Sequence, residues 1–140
     1  MREILPHRLW IGHALDVRNV RQVLDLGIRA ALDLAINEPP VQFPREIVYC
    51  RFPLYDGAGN DRAVLRSAIE VARIFIAGSV PTLVFCSAGM SRSPAIVAAA
   101  LARVEGCDLD EALLRVAGSG PHDVSPVLWN EIRRAVESLG

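Results

Sequence analysis

Apolar positions fall into short continuous runs that alternate with stretches spaced by three and four. Leu9-Trp10-Ile11 reads as a short strand. Asp16 then caps a helix carrying Val20, Val23 and Leu24, and Gly27 ends it in the position glycine favours past a helix terminus. Ala30 to Leu34 reads as a second strand, followed by a polar loop with Pro39, Pro40 and Pro44. Ile47 to Phe52 reads as a third strand, and Pro53 to Asn60 as a loop with two glycines. Asn60 or Asp61 caps a helix whose stripe is Leu65, Ile69, Ala72 and Ile76. Thr82 to Phe85 is a strand of the wholly apolar kind that is buried on both faces of a sheet. A small polar loop, Cys86 to Arg92, leads into a helix opened by Ser93-Pro94 and running to about Arg103. Asp108 caps a helix with Leu109, Leu113 and Val116, and Ser125-Pro126 opens the last, with Leu128, Ile132 and Val136 inward. Strands separated by helices predict an α/β fold, a central mostly parallel sheet flanked by helices. In such sheets ligands sit beyond the carboxyl ends of the strands.

The length, 140 residues, predicts a single domain over 1–140. Apolar residues make up 51% and charged residues 22%, a globular balance, and a net charge of −1 predicts no nucleic-acid partner. All 15 basic residues are arginine. A chain without lysine has no Walker phosphate loop, no kinase lysine and no Schiff base, so phosphate recognition falls to arginine and backbone N–H groups. Three cysteines, Cys50, Cys86 and Cys107, form no disulfide framework or zinc pattern, and His7, His13 and His122 lack metal-ligand spacing. No metal and no cofactor are expected. The N-terminus has no apolar signal core, and the longest apolar run, Ala95 to Ala102, is far short of a bilayer span. The expectation is a soluble cytoplasmic monomer with no membrane partner.

The rule for ligand position singles out Cys86, which follows the buried strand and precedes a helix by a few residues. Five residues separate Cys86 from Arg92, enough to wrap once around a tetrahedral oxyanion with the N–H groups of Ser87, Ala88, Gly89, Met90, Ser91 and Arg92 turned inward. The helix dipole adds positive potential there, and Arg92 offers a planar fork for two phosphate oxygens. Gly89 permits backbone angles a Cβ would forbid. The same field favours a thiolate at Cys86, a nucleophile able to attack phosphorus and form a cysteinyl-phosphate. The Ser93 hydroxyl is placed to hydrogen-bond the sulfur or to cap the helix; the two roles are not separable in sequence. A leaving alkoxide or phenolate needs a proton. Asp56, thirty positions before Cys86 in a glycine-containing loop, is the expected general acid and later base; Asp61, at a helix start, is its competitor and the expected cap.

Cys86-x-Ala88-Gly89-x-Ser91-Arg92-Ser93 resembles the active-site loop of cysteine-dependent phosphatases of the dual-specificity branch. The resemblance spans nearly the whole chain. Leu9-Trp10-Ile11-Gly12 is similar to the family's opening strand, Asp56 through Asn60 to its general-acid loop, and Pro121 to Trp129 to the entry of its last helix. It implies a sheet of about five strands and hydrolysis, without metal, of phosphotyrosine and also of phosphoserine or phosphothreonine in a phosphorylated protein substrate. One departure stands out: Phe85 occupies the place where the family usually has histidine, which bears on loop geometry and on the activation of Cys86.

Blander readings stand beside these. A lone cysteine is more often a small buried hydrophobe, and a lone aspartate a solvated turn residue; the loop, Arg92 and the helix start reverse those odds. Cys50 reads as strand packing, with a reversible disulfide to Cys86 as the alternative. Rival functions are a non-catalytic phosphoresidue-binding module, a sulfur transferase, and a phosphatase acting on RNA 5′-phosphates or phospholipids. The neutral loop and the near-zero charge lean toward a phosphoprotein.

Overall fold

The central strand carries the site because it is apolar on both faces and has nowhere to go but the middle of the sheet. The structure, a computed structural model, describes residues 1–118 and 122–139. The elements are β1 (Arg2–Leu5), β2 (Leu9–His13), a 3-10 turn (Asp16–Arg18), α1 (Val20–Asp25), β3 (Ala30–Ala35), β4 (Val48–Leu54), α2 (Arg62–Ala77), β5 (Thr82–Cys86), α3 (Arg92–Glu105), α4 (Leu109–Gly118) and α5 (Pro126–Glu137). The five strands lie in the order β1-β2-β5-β3-β4, parallel throughout except for the β1–β2 hairpin. All five residues of β5 are buried.

One face of the sheet packs on α2 and α3 through Leu9, Ile11, Leu32, Leu34, Val84 and Cys86, and α5 packs on those two helices. α3 contributes Ala95, Ala98, Ala99, Ala100 and Ala102, whose small side chains let it run deep between its neighbours, buried from Arg92 to Ala102. The other face holds a smaller core of Trp10, Val17, Val23, Ile28, Leu83 and Phe85. Among the described residues no helix is long and apolar enough to cross a membrane.

Local differences from the sequence expectation have physical reasons. The edge strand β1 was not anticipated; it is short, only partly buried, and joined to β2 through His7, which takes φ 58° without being glycine, so no turn residue announces it. Asp16 does not cap α1. Its carboxylate accepts from the backbone N–H of His13 at 3.0 Å, and Asn19 caps α1 instead, accepting from Gln22 N–H at 3.2 Å. Of the apolar residues this short helix carries, Leu24 is exposed and Val23 buried. The α2 cap falls to Asp61, which accepts from Ala63 N–H at 2.8 Å. Pro121, at the expected entry to the last helix, lies outside the described residues.

The register also decides the cysteine question. Leu32 of β3 stands level with both Cys50 of β4 and Val84 of β5, and Cys86 lies two residues beyond Val84. Two strand spacings of roughly 4.8 Å put the Cα atoms of Cys50 and Cys86 more than about 9 Å apart, beyond the reach of a disulfide. The alternative of a Cys50–Cys86 bridge is therefore excluded in this fold. Burial also pushes the Cys50 thiol up, away from a reactive thiolate.

The helical layer is tied by Glu70 of α2, which accepts from Arg103 of α3 at 2.7 Å and from Arg73 at 2.8 Å. The bond from Arg73, then that from Arg103, holds the Glu70 carboxyl below its ordinary 4.5. A carboxylate depressed by folding adds stability above its unfolded pKa and loses it as pH falls through the folded value. The pairs are partly exposed, so Glu70→Gln is expected to cost only about 0.5–1 kcal/mol at neutral pH. In urea unfolding, the gap to wild type should close as pH drops below 4.5; a gap that persists unchanged in acid would rule out the ion pairs as its source.

Candidate active site

The turn from β5 into α3 is pinned to the sheet's carboxyl edge by its neighbours. Gly89 takes φ +71°, and a Cβ there would lie 2.8 Å from the carbonyl oxygen of Gly12, so only glycine lets the loop rest on the end of β2. Ala14 N–H donates to Ser87 O at 3.2 Å, and Asp123 N–H to Met90 O at 2.6 Å. Ser125 N–H donates to Ser91 Oγ at 3.0 Å. Held from both sides, the loop runs directly into the N-terminus of the 14-residue α3, where the helix dipole is positive. Above it opens a cavity of about 320 Å³ lined by Asp56, Cys86, Ser87, Ala88, Met90, Ser91, Arg92 and Asp123. Cys86 is 2% exposed at its floor.

Arg92 does not hang free. Its Nη1 donates to Asn37 Oδ1 at 2.9 Å and to Leu54 O at 3.0 Å, and its Nη2 to Ser87 Oγ at 3.1 Å. Asn37 Nδ2 closes the ring on Ser87 Oγ at 2.9 Å. The loop carrying Asn37 is anchored by a buried network. Asp33, fully buried in β3, accepts from the Tyr49 hydroxyl at 2.6 Å, and that hydroxyl accepts from Val41 N–H at 3.1 Å. Arg51 donates to the carbonyls of Ala35 and Glu38. Burial, then the bond to Asp33, pushes the Tyr49 phenol up and keeps it a donor.

Asp56 sits on the bend after β4, exposed to solvent and facing the same cavity. Its loop is laced by Asn60. The Asn60 side chain accepts from Tyr55 N–H at 2.8 Å and donates to Tyr55 O at 3.1 Å and Gly57 O at 3.0 Å. Glu131 of α5 accepts from Asn60 Nδ2 at 3.0 Å, Gly59 N–H at 3.0 Å and Asn60 N–H at 3.2 Å. Burial opposes ionisation of Glu131, but these donors outweigh it and hold its carboxyl low. The helix latched to the loop is thus a carboxylate ligand of its backbone.

The structure brings Cys86, Arg92, Asp56 and the loop residues Ser87, Ala88, Met90 and Ser91 to one cavity, while Gly89 lies on the loop's rear against β2. Asp61 is outside the cavity lining, as its capping bond requires. Ser93 is fully buried, and its hydroxyl makes no hydrogen bond, neither to Cys86 nor as a helix cap. Phe85 points to the opposite face from Cys86, its ring 6.4 Å from that of Phe43. Asn37, Glu131 and Asp123 were not anticipated. Asn37 offered one faint signal, a polar residue just past a strand that ends at the same sheet edge. Among the described residues no group of three or more histidine, cysteine or acidic side chains is placed to hold a metal.

No protein-family model matches the chain. It is 29% identical over 126 residues to dual specificity protein phosphatase Mpk3 of Drosophila melanogaster, a match that takes in 89% of this chain but only 30% of the fly protein. It is 25% identical over 133 residues to human dual specificity phosphatase 28, covering 94% of this chain and 75% of that protein. The crystal structure of human DUSP28 superposes with a TM-score of 0.85 over 99% of this chain and 97% of that one, at 24% identity.

The close approach at Gly89 has a direct consequence. Gly89→Ala combines a left-handed backbone with a clash against Gly12, an expected cost of about 1–3 kcal/mol concentrated in the loop. Inorganic phosphate should raise the Tm of wild type and not that of G89A; an equal rise in both would show that the loop does not bind the anion.

Proposed function

We propose that the chain is a phosphatase of the dual-specificity kind to which it is similar in sequence, one catalytic domain over residues 1–140 that hydrolyses phosphomonoesters on proteins without a metal. The substrates are phosphotyrosine and also phosphoserine or phosphothreonine. The observation that carries this reading is the shared cavity, with Cys86 at the floor, Arg92 at the start of α3 and Asp56 facing them.

In the first step a phosphate dianion seats on the N–H groups of residues 87–92. Arg92 turns part of its fork from Asn37 and Leu54 to two phosphate oxygens. The Cys86 thiolate attacks phosphorus in line, the P–O bond to the substrate breaks, and Asp56 delivers its proton to the departing oxygen. In the second step Asp56 takes a proton from water, whose oxygen attacks phosphorus. The P–S bond breaks, leaving inorganic phosphate and the Cys86 thiolate. Arg92, the loop N–H groups and the α3 dipole supply the positive charge that the equatorial oxygens need. Ser93, buried next to the loop with an unpaired hydroxyl, is the donor available to the sulfur as it leaves.

The rim supports a phosphoprotein over a polyanion. Apart from Arg92, the charged side chains lining the cavity are Asp56 and Asp123. The Asp123 carboxylate, joined by that of Asp56 once its proton has gone, would repel the further phosphates of RNA or of a polyphosphorylated lipid headgroup.

Hydrolysis of p-nitrophenyl phosphate in EDTA tests the reading. Wild type should turn over and Cys86→Ser should not. Asp56→Asn should lose about 10²- to 10⁴-fold in kcat, whereas Asp61→Asn, which touches only the α2 cap, should keep turnover. Activity in C86S, or loss of wild-type activity on metal removal, would overturn the mechanism.

A further inference from the structure

Behind the phosphate loop lies a second cavity of about 170 Å³, lined by Arg2, Gly12, His13, Asp16, Ala88 and Gly89. Arg2 opens β1 and stands level with Ile11 of β2, which stands level with Val84 of β5. Paired residues in a sheet share a face, and Cys86, two residues past Val84, shares it too. The Arg2 and Cys86 side chains therefore leave the sheet on the same side, one behind the loop and the other at its floor.

Arg2 is an anomaly in electrostatic terms. Its Nε and Nη2 are buried and have no hydrogen-bond partner. Asp16, the carboxylate in that cavity, is engaged elsewhere: it lies 3.1 Å from the Met1 amine, accepts from His13 N–H at 3.0 Å and faces the His13 ring at 3.5 Å. A half-buried guanidinium with two buried nitrogens unpaired is costly. Burial pulls the Arg2 pKa below its ordinary value, and negative charge on Cys86 draws it back up. A cation behind the loop, on the face of the sheet from which Cys86 projects, attracts negative charge on the sulfur.

We propose that Arg2 is a positioning residue for the nucleophile, its unpaired guanidinium behind the loop holding Cys86 in its thiolate form. The inference rests on the reading of Cys86 as nucleophile. The other charged groups about the loop do not supply this. Arg92 is bound to Asn37, Leu54 and Ser87. His13 stands level with Cys86, but its Nδ1 accepts from Asp16 N–H at 3.3 Å and its ring is turned to that residue. Asp56 and Asp123 carry the wrong sign. Phe85, in the place where a histidine is usual, faces the other side of the sheet. Arg2 thus brings a cation to the sulfur from β1, through the back of the loop.

The test is alkylation of Cys86 by iodoacetamide, followed by mass spectrometry of its peptide from pH 5 to 9. Arg2→Gln should react about tenfold more slowly than wild type near pH 6 and within about threefold of it near pH 9, above the roughly 8.5 at which a free cysteine thiol ionises. Arg2→Met should behave as R2Q does, and Arg2→Lys should restore most of the rate at pH 6. An R2Q profile identical to wild type would overturn the proposal. So would a slowing equal at both pH values, or an R2K as slow as R2Q; these outcomes mean packing rather than charge. Should R2Q fail to fold, R2M, which keeps the apolar stem, decides the same question. Turnover of p-nitrophenyl phosphate separates the two readings. A wild type that hydrolyses it while R2Q alkylates normally sinks only the role of Arg2. A wild type that does not, while the alkylation profiles differ as expected, sinks only the phosphatase.

Discussion

The site depends on one constraint: β5 is buried on both faces and must hand the chain to α3 within a few residues. That forces a tight turn at the carboxyl edge of the sheet, with its amides directed outward from the edge and the positive end of a helix beneath them. The alanines of α3 let the helix come close enough to the sheet for this to happen. A bulkier helix would stand further off and open the turn. Core packing and the proposed anion chemistry are thus parts of one arrangement, and the proposed nucleophile is the last residue of the strand.

Each part of the cavity is then fixed by a different neighbour. The loop is seated by Gly89 on Gly12 and by the segment before α5 through Met90 and Ser91. Arg92 is parked by Asn37, and Asn37 by the buried Asp33–Tyr49 pair. The loop carrying Asp56 is laced by Asn60 and latched to α5 by Glu131. A buried carboxylate therefore supports the arginine side and a half-buried one the acid side. Both are satisfied by donors from the segments they hold, which is why they rigidify those segments. The chemistry proposed for the cavity needs such preorganisation, since little reorganisation can accompany charge transfer at phosphorus.

Phe85 illustrates how a departure in sequence changes meaning in the fold. In the linear motif it sits beside the nucleophile and bears on its activation. In the sheet, alternation sends its ring into the smaller core beside Phe43, away from the sulfur. The electrostatic question passes to the groups behind the loop.

Local signals in the sequence determined much of this protein. Apolar runs and helical stripes are read residue by residue, so four of the strands, the helices and the loop from Cys86 to Arg92 were legible, and so was Asp56 at its distance from Cys86. The assignment of the α2 cap to Asp61 was legible too, with Asn60 left as the alternative. Hidden from that reading was everything set by contacts between distant segments. The strand β1 is short and lacks a turn signal. Asp16 gave up its cap to bind His13 and the amino terminus. Glu131 and Asp123 have no distinguishing neighbours in sequence, and Asn37 has only its place just past a strand; all three acquire their roles when loops meet at one sheet edge. The separation of Cys50 from Cys86 follows from strand order, which a periodic pattern does not encode. Sequence specifies elements because hydrophobic period and capping are local; the tertiary structure decided which side chains share a cavity, because strand order and register bring together residues that nothing local relates.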